Sequence, residues 1–221
     1  MKALVAALRK DAQLHWTNRA QLIAVFVFGV TTLLLFSFAI GPSANLLRPY
    51  AASFLWLALL LSSTLALADS FHDEMAERAL EGLLLLPVPP RALYYSKALT
   101  NTAQLALLGF ALIPLVIALY DAPVHRLGLL CGVVLLGAAG LSAPGTLYGA
   151  MTSQVRSRQT LLPILLFPLV VPVLLSAVRA TSLLLEGDPM KQFPSWIALL
   201  ICFDALHWSL GGLLFGRVVE E

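Results

Sequence analysis

Charge is what this sequence has least of. Lys, Arg, Asp and Glu make up 12% of its 221 residues, about half the share found in a soluble domain, so composition excludes a water-soluble globule. Cysteine is scarcer still. Cys131 and Cys202 are the only two, each lies inside an uncharged apolar run, and neither belongs to a C-x-x-C or C-x-x-C-H pattern. A redox pair, a thiolate metal site and c-type haem attachment are therefore unsupported, and both thiols read as small hydrophobes. His15, His72, His125 and His207 form no cluster with metal-ligand spacing. No Ser-His-Asp grouping or carboxylate pair makes a catalytic site. The G-x-x-x-x-G-K-[ST] loop that cradles nucleotide phosphates is missing, so any ATP hydrolysis driving this chain belongs to another subunit. There is no repeat and no low-complexity tract, and the net charge of +2 carries no argument for a nucleic-acid partner.

What the sequence has in quantity is apolar length. Residues 21–40, 50–68, 98–120, 127–155 and 159–178 contain no Asp, Glu, Lys or Arg, and residues 195–216 contain one acid. A helix crosses the hydrocarbon core with roughly 20 apolar residues. In lipid the backbone must satisfy its own hydrogen bonds, which selects helix for each run. The expected fold is an all-α integral membrane protein of six spans, forming one domain over 1–221. The first run starts too far in and is too long for a cleaved signal peptide. Lys2, Arg9, Lys10, Arg19, Arg78, Arg91, Lys97, Arg156, Arg158 and Arg217 fall on one side of these spans; Arg48, Arg126, Arg179 and Lys191 fall on the other. By the positive-inside rule both termini face the cytoplasm. Tyr50, Tyr120 and Trp196 are then expected at the outer interface, and Trp16, Tyr94 and Tyr95 at the inner one.

Against this background one stretch stands apart. Asp69, Asp73, Glu74, Glu77 and Glu81 place five of the chain's twelve acids within 69–81. Asp69, Asp73, Glu77 and Glu81 recur every four residues. Leu67, Phe71, Met75, Ala79 and Leu83 repeat at the same interval, about 200° around a helix from the acids. Glu74 and Arg78 add an i,i+4 pair, and Pro87-Val88-Pro89-Pro90 stops the helix. The spacing predicts an amphipathic helix over 69–86 on the cytoplasmic surface. Surface-lying helices favour Lys and Arg, which anionic lipids attract; a row of carboxylates serves either as a solvated face or as a dock for a basic partner. Because 69–97 is the only large internal connection, docking is the reading taken.

Five further features stand out. Residues 1–19 form a second amphipathic element, an interfacial helix with Leu4, Ala7, Leu8, Ala12 and Trp16 on one face. The fifth span carries Pro163, Pro168 and Pro172, each removing an i→i−4 bond; a kinked or broken helix is expected, and a candidate hinge. Gly128-x-x-x-Gly132 and Gly145-x-x-x-Gly149 in the fourth span, and Gly212-x-x-x-Gly216 in the sixth, permit close helix packing. Asp204 and His207, at i,i+3 in the sixth span, are ionisable groups at membrane depth; they suit either a mutually satisfied pair or a proton relay or ligand site. Leu183-Leu184-Leu185 and Pro189, within the external segment 179–194, are compatible with a re-entrant turn.

The residues "LLLSSTLALADSFHDEMAERALEGLLLLPVPPRALYYSKAL" resemble the signature of the haem exporter protein B family, the membrane subunit of the cytochrome c maturation ABC complex. The likeness rests on Leu61-Ser62-Ser63 closing a span, Phe71 with Glu74, Leu80-Glu81, the run from Leu84 to Pro87, and Lys97 opening the next span. A second match, "SAPGTLYGAMTSQVRSRQTLLPILLFPLVVPVLL", resembles the family's small-residue run, basic loop and proline-rich span. Ala79 departs from a glycine common there, which bears on local helix stability.

The resemblance implies a type-2 ABC exporter-like permease in a bacterial inner membrane. A coupling helix at 69–86 would be gripped by a separate ATPase in two copies, which carries the ATP and Mg. Asp69, Phe71, Asp73, Glu74, Glu77, Glu81, Pro87 and Lys97 are then the expected coupling interface. It also implies a second copy of the chain, a haem-handling membrane subunit, a small single-span subunit and a periplasmic haem chaperone. Haem is handled by the complex; no cofactor is expected on this chain, which lacks a Trp-rich external motif. A permease for a lipid, drug or polysaccharide, and an intramembrane enzyme or proton relay built on Asp204 and His207, are the alternatives.

Overall fold

The computed structural model describes residues 19–41, 43–69, 90–153 and 158–220. Six long helices account for nearly all of them: α1 (Arg19–Ile40), α2 (Ala51–Asp69), α3 (Pro90–Tyr120), α4 (Leu127–Ser153), α5 (Arg158–Glu186) and α6 (Phe193–Glu220). A short helical turn at Ala44–Leu47 and a 3-10 turn at Arg48–Tyr50 lead into α2. Each of the six apolar runs is long enough to cross a bilayer, and no strand occurs among the described residues. The all-α, six-span reading of the sequence is what the chain adopts.

The two boundaries that differ most from the expected ones each do so for a local reason. Helix α3 begins at Pro90 instead of 98. Proline suits the first helical position, where its missing N–H is not needed, and the next two turns bury Tyr94, Ser96 and Lys97. Helix α5 runs to Glu186 instead of 178, and Leu183-Leu184-Leu185 are its last turn. The proposed re-entrant segment is therefore mostly a continuation of the span, and residues 187–192 alone connect it to α6. Gly41 and Gly187 close α1 and α5 at φ 92° and 104°, where their N–H groups bond the Ser37 and Leu183 carbonyls at 3.1 Å. That is the left-handed helix end glycine adopts without a Cβ clash. The Asp188 carboxylate then caps α6, accepting from the Gln192 and Phe193 N–H groups at 2.8 and 2.9 Å.

Helix α4 sits at the centre and packs against α2, α3, α5 and α6. Helix α1 lies at the edge against α2 and α3 and buries only Val25, Gly29 and Leu33, a stripe four residues apart. At one end of the bundle Arg48 meets Asp121, Nη2 to Oδ2 at 2.6 Å and Nε donating to the Asp121 carbonyl at 2.9 Å. At the other, the start of α3 lies beside the end of α6, with Pro90 against Gly216. Two expected belt residues prove to be interior. Tyr94 and Tyr120 are fully buried because main-chain carbonyls satisfy their hydroxyls: Tyr120 donates to Leu33 O at 2.7 Å and Tyr94 to Ala143 O at 3.1 Å. Tyr50 does stay exposed.

Candidate functional site

Helices α2 and α3 flank the acidic stretch, so whatever acts on that stretch acts on their ends. Asp69 is the last residue of α2. Phe71, Asp73, Glu74, Glu77, Glu81 and Pro87, with the rest of the expected coupling helix, lie outside the described residues, as does the interfacial helix up to residue 18. Lys97 does not belong on an exposed docking surface: it is 7% exposed, in the second turn of α3 and inside the bundle.

Among the described residues, the first half of α3 carries a dense set of side-chain hydrogen bonds to its neighbours. Tyr94 reaches the Ala143 carbonyl of α4 and lies 3.5 Å from the His207 carbonyl of α6. Tyr95 donates to Trp208 O at 3.4 Å. Asn101 donates to the Thr146 hydroxyl at 2.9 Å, and the Thr102 hydroxyl bonds that of Ser142. Glycine makes this approach possible. A methyl on Gly211 or Gly212 would overlap the Tyr94 or Tyr95 hydroxyl. The Trp208 indole in turn donates to Ala139 O at 3.3 Å, tying α6 to α4. Sequence reasoning did not single out this network, although its signal was present. Ser96, Thr100, Asn101, Thr102 and Gln104 make a polar run at the start of an otherwise apolar span.

Helix α2 has its own link. The Trp56 indole N–H donates to Thr181 Oγ1 of α5 at 2.9 Å, and its ring occupies the space a side chain at Gly137 of α4 would need. Thus α2 engages α4 and α5 while α3 engages α4 and α6. Among the described residues, Ser62 Oγ, both amide atoms of Gln104 and Asp204 Oδ1 are buried without a hydrogen-bond partner.

The other expected site residues divide. Pro163, Pro168 and Pro172 lie inside a continuous α5, so of the expected kinked or broken helix the broken form does not occur; Pro168 and Pro172 are exposed at its surface. Bilayer helices tolerate the lost bonds where neighbours or local adjustment satisfy the freed carbonyls. Gly145 does pack, against Leu67 of α2, and Gly149 is buried. Gly128 and Gly132 face open space with nothing within 4 Å, which removes them as packing residues within the subunit. Gly109, Gly137 and Gly140 hold close contacts instead.

Asp204 and His207 do not form the expected pair. Asp204 is 9% exposed and turned into the α4–α5 contact, its Oδ1 2.8 Å from where a methyl on Gly140 would sit. His207 folds back along its own helix, with Nδ1 3.0 Å from Phe203 O and its ring stacked on Phe203 at 3.8 Å. Among the described residues no three His, Cys, Asp or Glu side chains gather as a metal site.

Comparison with known proteins places this arrangement. The family model described as "CcmB protein" matches residues 2–220. The chain is 29% identical over 193 residues to heme exporter protein B of Pseudomonas aeruginosa, covering 87% of this chain and 86% of that protein. It is 33% identical over 165 residues to heme exporter protein B of Rhodobacter capsulatus, covering 75% and 74%. With heme exporter protein B of Escherichia coli strain K12 the identity is 32% over 200 residues, covering 89% and 90%.

Proposed function

The chain belongs to the CcmB protein family, and on that premise we propose that it is the membrane permease subunit of an ABC haem exporter. It rearranges its six helices when a separate subunit hydrolyses ATP. The observation that carries this reading is the family match across residues 2–220, joined to relatives that bear the name heme exporter protein B. The missing phosphate-binding loop supports a borrowed ATPase. The preponderance of Lys and Arg on the side of the termini supports a cytoplasmic location for the 69–86 stretch.

The route of force follows from the bonded network. Closure of the ATPase pulls the acidic 69–86 stretch, and with it the last turn of α2 and the first turns of α3. Movement of α3 carries α4 through Asn101–Thr146 and Tyr94–Ala143, and α6 through Tyr95–Trp208. Movement of α2 carries α5 through Trp56–Thr181. The prolines in α5 remove the intrahelical donors that would otherwise stiffen it, so bending concentrates there. Haem delivery to a periplasmic chaperone and release of the loaded chaperone are the steps assigned to the complex. Its other members are two ATPase copies, a second permease, a haem-handling membrane subunit and a small single-span subunit.

The test is complementation of a strain lacking this chain, reading covalently bound haem in c-type cytochromes together with co-purified ATPase. The wild-type chain restores both. Reversing Asp73, Glu77 and Glu81 to Lys lowers ATPase retention and cytochrome yield while the permease still inserts. Undiminished retention refutes the docking role; failure of the wild-type chain to restore cytochromes refutes the haem assignment.

A further inference from the structure

At the end of the bundle opposite the termini, the last turn of α5, the 187–192 connection, the first turn of α6 and the residues before α4 line a half-open cavity of about 690 Å³. Its wall divides by chemistry. Leu183, Leu184, Leu185, Phe193 and Pro194 make an apolar side, and His125, Arg126, Glu186, Asp188 and Lys191 a charged rim. The charges are not used on one another. Arg48–Asp121 is the one ion pair among the described residues, so Arg126, Lys191 and Glu186 have no oppositely charged partner there. Asp188 is spent on capping α6.

The two signs are also sorted in space. Arg126 directly precedes α4, whose first N–H groups give that end a partial positive charge; Glu186 ends α5, where unpaired carbonyls are partially negative. The connection between them is fixed in shape. Gly187 and Lys191 take positive φ, 104° and 53°, and the Lys191 N–H bonds Asp188 O at 3.3 Å. A non-glycine residue held in that region is strained, and such strain concentrates at ligand clamps. The half-buried Trp196, one turn into α6, marks the depth of lipid headgroups.

An anion alone would leave Glu186 unmatched, and a cation alone would leave Arg126 and Lys191. We propose that the cavity binds the headgroup of a zwitterionic aminophospholipid. The phosphate lies at Arg126, Lys191 and the start of α4, the ammonium at Glu186 and the end of α5, and an acyl chain runs down Leu183–Leu185 and Phe193. The inference is independent of the haem reading, because it requires only that this end of the bundle meet a bilayer surface.

The experiment uses the full chain in its purified complex, delipidated in detergent and offered phosphatidylethanolamine or phosphatidylglycerol, with bound lipid counted by native mass spectrometry. Phosphatidylethanolamine is retained over phosphatidylglycerol. Arg126→Gln lowers retention of both roughly tenfold, as loss of one charge-assisted contact does. Glu186→Gln, a surface change that spares the fold, removes the preference between them. Equal retention of the two lipids by the wild type, or retention that neither substitution alters, overturns the proposal. So does displacement of the lipid from this cavity by a porphyrin dicarboxylate at equal concentration, which would identify the ligand as an amphipathic anion.

Discussion

Gly137 has no side chain because Trp56 takes its place. The indole is almost wholly buried, its N–H is satisfied by Thr181, and its six-membered ring fills the position of a Gly137 Cβ. Gly137→Ala therefore forces a packed ring to move, and overpacking of this kind costs about 1–3 kcal/mol. The expected outcome is a lowered unfolding midpoint in detergent. An unchanged midpoint would mean that the α2–α4 contact yields freely. Arg48 makes the opposite case. Its bonds to Asp121 are short, but the two side chains are 45% and 69% exposed, and exposed pairs contribute at most about 1 kcal/mol. Arg48→Ala should shift the same midpoint less than Gly137→Ala does, and by an amount that shrinks with added salt. A larger, salt-independent shift would show that the carbonyl bond carries the contact.

At the scale of the helix, α5 and α3 behave differently. Helix α5 stays continuous through three prolines, yet Pro168 and Pro172 deprive the Ile164 and Pro168 carbonyls of their usual donors. Replacing both prolines with Ala restores the donors and stiffens the span. Assembly should survive and turnover should fall, read as cytochrome yield per permease; undiminished yield would make the prolines static features. Helix α3 acts as the connector. Its side chains bond two neighbours within its first turns, and one of them, α4, is central. The polar run responsible was visible in the sequence, but its meaning was not. A polar residue in a span can face lipid-shielding neighbours, water or a ligand, and helical periodicity does not say which neighbour lies across the contact.

For the whole molecule, the decisive quantity is charge at one edge. On the proposed docking role, the carboxylates of 69–81 would hold the ATPase by a screened interaction, since ordinary salt confines exposed charges to a range of about 10 Å. Rising ionic strength should strip the ATPase from the wild-type complex progressively. It should have little further effect on a variant whose Asp73, Glu77 and Glu81 are already neutral. Retention indifferent to salt in the wild type would locate the grip in apolar contacts such as Phe71.

The number of spans, their helical state and the side on which the basic residues gather were legible from order along the chain alone. Each depends on local composition meeting a solvent that offers the backbone no hydrogen bonds. Gly128 and Gly145 began as equivalent motifs, and Asp204 and His207 as a natural pair; only the folded bundle separated them. It sent Gly128 to an open face, Gly145 against Leu67, Asp204 towards Gly140 and His207 onto Phe203. Lys97 moved from an expected surface to the interior in the same way. The reason is geometric. Sequence fixes which residues share a helix face, whereas the neighbour that face meets depends on how six helices of nearly uniform hydrophobicity rotate and cross, which packing of particular side chains against particular glycines decides.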